Sequence, residues 1–139
     1  MRRLVSVEEA KALLTESIEW STWSWMTEKG RVREVTDRGT ACLDEAAEEI
    51  KASWSADLKK AYRDENARNV DPKIKAAAKR VKEADDEAYL ARIDAEQTFD
   101  EAERLLSASM AREGARKAIF AFDLREKALR KAEAAGRAG

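Results

Sequence analysis

Residues 66–75 read NARNVDPKIK, and the Asp71–Pro72 pair inside them decides how the rest of the chain is read. Aspartate is a good helix N-cap because its carboxylate accepts orphan backbone N–H groups. Proline fits the first helical position, where an N–H would have no partner anyway. A helix therefore starts at Pro72, and residues 67–71 form a connector. Upstream, Ser6 and Glu9 make a capping box that starts a helical region at Val7. Downstream, Gly136 supplies a terminator. The single domain 1–139 divides into helix regions 7–66 and 72–135, each about 90 Å long if continuous.

Each region carries one apolar stripe. In the first, Leu14, Ile18, Trp25, Val32, Leu43, Trp54 and Leu58 keep one phase at roughly 100° per residue. The Leu43/Trp54 and Ala47/Leu58 spacings look like an 11-residue repeat, which packs nearly straight. In the second, Ile74, Val81, Ala88, Ala95, Phe99, Leu106 and Met110 do the same. Gly30 and Gly39 could mark a turn, but the stripe keeps its phase across both. Two striped helices with a short connector predict an antiparallel hairpin whose paired residue numbers sum to about 138. That register sets Trp54 against Ala84 and Ala88, Phe99 against Gly39, and Trp25 near Gly114. Large against small gives the glycines a packing role.

The hairpin leaves apolar residues over. The stretch EWSTWSWM, residues 19–26, holds three of the four tryptophans. Trp25 lies on the stripe, while Trp20 and Trp23 point away from it. Ile119, Phe122 and Leu129 form a matching second ridge near the other end of the chain. Trp20, Trp23, Ile119, Phe122 and Leu129 are thus the candidate interface, a patch larger than soluble monomers usually expose. Three arrangements could cover it: a homodimer in which two hairpins build a four-helix bundle, an intramolecular bundle with breaks near Gly30–Gly39 and Gly114, or docking of another protein.

Composition narrows the chemistry. Charged residues make up 40% of the chain, with five glycines and one proline, as in helical bundles. With 27 Lys+Arg against 28 Asp+Glu, no net field recommends nucleic acid. The absence of histidine removes the commonest general base and metal ligand. The runs DEAAEE, EADDE and DEAE lie mostly off the apolar stripes and read as solvated faces, so no metal or cofactor is expected. Cys42 cannot form an intrachain disulfide, and a reducing, cytoplasmic setting fits. Glu8 and Glu9 interrupt any leader-like apolar run, and no membrane span is read. Residues 114–139 carry seven Lys/Arg against three Asp/Glu; cations suit a helix C-terminus, and an anionic surface is the alternative partner.

The sequence therefore points to an all-α hairpin of two ~60-residue helices, pairing as a dimer. It points to a non-catalytic interaction or scaffold role, with no catalytic residues assigned. Anionic-surface binding through the C-terminal helix comes next, and a small-molecule-binding bundle last.

Overall fold

The computed structural model describes residues 6–138, and over them the chain is all-helical. The ends of the 1–139 domain assignment, residues 1–5 and 139, lie outside the described residues, as does part of the segment in which no leader was read. Five helices follow in order: α1 (Val7–Ile18), α2 (Thr22–Ser53), α3 (Ala56–Arg63), α4 (Pro72–Leu105) and α5 (Ala108–Ala138).

The Asp71–Pro72 boundary is where the sequence places it. Asp71 caps α4 by accepting the Lys73 N–H at 2.8 Å. Ser6 likewise accepts the Glu9 N–H at 3.1 Å to open α1. The two continuous long helices, however, are corrected. Region 7–66 is three helices, and region 72–135 breaks at Leu106–Ser107. None of these breaks falls at Gly30, Gly39 or Gly114, which all lie inside helices. They fall instead where serine can cap a new helix. Ser21 and Ser55 accept the N–H groups of Ser24 and Leu58, and Ser107 accepts that of Met110. At the last break Leu106 takes the left-handed conformation (φ 53°) that ends α4.

Because of the break at Leu106, α4 and α5 fold back on each other and make the most extensive contact in the molecule. Lys117 meets Asp94 at 2.8 Å and Arg125 approaches Asp85 at 3.9 Å, so the two helices are antiparallel. The α2 helix lies along α5 in the same direction: Gly39 sits against Phe122, Asp44 against Arg125, and Trp54 against Ala132. Helix α1 doubles back over α2 and α5, while α3 packs on α4 at the opposite end.

Two apolar clusters result. The first joins α1, α2, α4 and α5 around Leu14, Trp25, Val32, Leu43, Phe99 and Phe122. The second gathers Trp54, Leu58, Val70, Val81, Ala132 and Ala135 at the far end. Alanines dominate the α4–α5 seam, which lets the two backbones approach closely, while tryptophan and phenylalanine fill the wider spaces. The hairpin register is corrected with the topology. Trp25 stacks on Phe99, Gly114 faces Phe99, and Gly39 faces Ala10 and Phe122.

Candidate interaction surface

The five residues assigned to an interface are not one exposed face. Phe122 is only 3% exposed and its ring lies beside Gly39, within the first cluster. Trp20, Ile119 and Leu129 are half-buried and pack against that same cluster. Trp23 alone is fully displayed, at 75% exposure. The cause is the turn at Glu19–Ser21. It sends α1 back across α2 and α5 instead of letting it extend α2. Lys11 pins α1 there through ion pairs with Asp123 and, at 2.7 Å, with Glu126 of α5. The chain's own first helix covers much of the second ridge.

One uncovered apolar group lies at the end of the bundle. Trp23 and Met26 occupy the first turns of α2, one turn apart on one face, and Arg33 follows Met26 by seven residues on that same face. The Arg33 guanidinium reaches α4, pairing with Asp100 and, at 3.1 Å, with Glu103. Two turns back toward the start of α2, that face passes the end of α4, where Leu105 and Leu106 are exposed. Trp23, Met26, Leu105 and Leu106 thus share one end. Met26 and Leu105 were not singled out in sequence because neither lies on a stripe. Leu106 does lie on one, and becomes exposed because its helix stops there.

Farther along, a polar slot separates α2 from α4. Its outer part is an open hollow of about 230 Å³ between Arg33, Thr36, Asp37, Glu96, Phe99 and Asp100. Inward it narrows to an apolar neck floored by Ala118, Ala121 and Phe122 of α5, with Thr40, Arg92 and Arg125 at its edge. Arg125 pairs with Asp44, and Arg92 reaches Asp44 at 3.5 Å while lying 5.4 Å from the Tyr89 ring. Burial pulls the Arg125 pKa below the usual arginine value. It remains a cation at neutral pH, since arginine starts so high. Thr36 Oγ1 and Arg92 Nε are buried without a hydrogen-bond partner. Asp44 of α2 thus ties together α4 and α5, and the slot acts as a brace across three helices.

Cys42 is half-buried and unpaired. Among the described residues no three acidic or thiol groups converge as a metal-binding set, and no helix is long and apolar enough to cross a membrane. Comparison with known protein families, curated protein sequences and solved structures finds no match.

Proposed function

We propose that this chain is a non-catalytic helical interaction protein that docks a partner on the bundle end bearing Trp23, Met26, Leu105 and Leu106. The observation that carries the reading is Trp23: the largest apolar side chain type in the protein stands 75% exposed at the start of a capped helix. Leaving tryptophan in water forgoes roughly 2–3 kcal/mol that burial against a partner would recover, and aromatic anchors of this kind dominate contact energies. The test is co-purification from the native host with wild type and with Trp23→Glu. A partner should be retained by the first and lost by the second at unchanged helicity. Identical recovery by both would overturn the assignment.

A second reading has its own observation. The first three turns of α4 carry Lys73, Lys75, Lys79, Arg80 and Lys82 with no acidic residue. Cations there oppose the helix dipole, and the antiparallel hairpin sets them beside Lys127, Arg130 and Lys131 of α5. This end suits an anionic surface. Binding to acidic vesicles or nucleic acid should then fall steeply with salt; no binding at low salt would remove it.

A further inference from the structure

The break between α2 and α3 leaves a space that the bundle itself does not fill. Trp54 takes an extended conformation there, and Ser55 caps the new helix by accepting the Leu58 N–H. The Trp54 indole turns toward α5, where its Nε1 donates to the Ala132 carbonyl at 3.0 Å. A hollow of about 360 Å³ opens between the last turn of α2 and α3, within the size range of small-molecule sites.

The apolar wall of this hollow is aromatic. Trp54 and Tyr62 meet edge to face with ring centroids 5.2 Å apart, and Ala52 lies beside them. The bond to Ala132 fixes the indole, and the indole in turn fixes the Tyr62 ring. The rim is basic: Lys51 of α2 and Lys59 and Arg63 of α3 line it, against one carboxylate, Glu48. Lys51 Nζ lies 4.9 Å from the Tyr62 centroid, a cation held over an aromatic face. None of these four charged groups enters an ion pair among the described residues.

The neighbouring carboxylates do not neutralise the rim. Glu45 stands one turn beyond Glu48, and Glu49 points about 160° from Lys51 around α2. Asp57 and Asp64 point about 160° and 140° from Lys59 around α3. Lys51 and Arg63 sit in the last turns of their helices, where a cation suits the dipole. Lys59 does not, yet it is half-buried, as is Lys51. Both have given up part of their water without gaining a counter-ion.

We propose that this hollow binds a small aromatic anion, a body of one or two rings carrying a carboxylate, sulfonate or phosphate group. The rings pack on Trp54 and Tyr62, and the anionic group lies among Lys51, Lys59 and Arg63 and relieves their repulsion. A neutral ring would leave the cations unpartnered, and a bare anion would leave the aromatic wall wet. The site uses none of the cations at the start of α4, so it stands apart from the anionic-surface reading.

The test titrates the full chain, isotopically labelled, with 2-naphthyl phosphate, 2-naphthol and inorganic phosphate, following backbone amide shifts. 2-Naphthyl phosphate should bind at least about tenfold tighter than either of the other two. Its shifts should centre on residues 48–63, and its affinity should fall as salt rises. Lys51→Gln/Lys59→Gln should weaken binding at least about tenfold, Glu48→Gln should tighten it, and Lys73→Gln/Lys75→Gln should leave it unchanged. Far-UV circular dichroism checks that each variant keeps its helicity, and the gain at exposed Glu48 keeps the test decisive if the double lysine variant unfolds. Absence of binding at millimolar probe overturns the proposal. So does equal binding of 2-naphthol, which would make the hollow merely apolar, or of inorganic phosphate, which would reduce it to unspecific charge. Shifts centred on α4, or full affinity in a folded Lys51→Gln/Lys59→Gln chain, would equally overturn it.

Discussion

Trp25 of α2 lies flat on Phe99 of α4, with ring centroids 5.5 Å apart and planes 10° from parallel. Gly114 of α5 lies against the same phenylalanine, where an added Cβ would stand 3.2 Å from the ring. Three helices meet at this ring, and the missing side chain at Gly114 leaves room for it.

The helical glycines are not equivalent, and alanine scanning should show it. At Gly30 an added Cβ meets nothing within 4 Å, so Gly30→Ala should stabilise by roughly 0.5–1 kcal/mol through helix propensity alone. At Gly39 the same atom would stand 2.8 Å from the Ala10 Cβ, which can retreat only if α1 moves. Gly39→Ala should cost about 1–3 kcal/mol. Denaturant unfolding of the two variants checks both signs; a stabilised Gly39→Ala would mean that α1 is not seated on α2.

The two buried tryptophans differ in their ring nitrogens. Trp54 Nε1 donates to the Ala132 carbonyl at 3.0 Å, whereas Trp25 Nε1 is buried with no partner. Trp54→Phe loses a hydrogen bond as well as volume; Trp25→Phe loses volume but removes an unsatisfied donor. Trp54→Phe should therefore be the more destabilising, by about 1 kcal/mol. Full truncation of either to alanine should cost about 3–5 kcal/mol. The reverse order of the two phenylalanine variants in urea midpoints would count against the assigned contacts.

Asp44 is the shared partner of Arg92 and Arg125. Asp44→Ala should cost about 1–3 kcal/mol, the carboxylate being half-exposed while Arg125 is not. Replacing Arg125 by methionine in the same background should return part of that loss, because the stranded charge is then gone. Equal stability of the single and double variants would show that the brace contributes little.

Lys11 offers a pH test. Its ammonium is hydrogen-bonded to Asp123 and Glu126, and the first of these contributes most to raising its pKa above the ordinary lysine value. A group whose folded pKa is raised stabilises below its unfolded pKa and loses that contribution as pH climbs through the folded value. The α1 attachment should thus hold at neutral pH and weaken above about pH 10.4. Melting temperatures from pH 8 to 11 should fall more for wild type than for Lys11→Met; parallel curves would remove Lys11 from the account.

The helical class and the boundary at Asp71–Pro72 were legible because capping chemistry is local. The stripes were legible too: Leu14, Trp25, Val32, Leu43, Trp54, Leu58, Val81 and Phe99 are all buried. What periodicity hides is a turn that conserves phase. Trp54 closes α2 in an extended conformation, yet Leu58 still lands on the core, so the stripe runs through the break unmarked. Leu106 and Met110 conceal the α4–α5 turn in the same way, with neither glycine nor proline to announce it. The available signals were serines 21, 55 and 107, but none has the Glu or Gln three residues on that completes a capping box. Of the residues assigned to an interface, Trp23 was readable as off-stripe; the burial of Phe122 was not, since it depends on α2 lying along α5.

The slot around Asp44, Arg92 and Arg125 lies between the two apolar clusters, so the bundle has a charged waist. Hydrophobic cohesion does not run unbroken from one end to the other; across the waist the ends are joined by helix backbone, by the small residues of the α4–α5 seam and by paired ions. Loosening those ions by substitution at Asp44 should let the two halves melt as separate units, and amide exchange would then report two protection levels where the intact protein shows one.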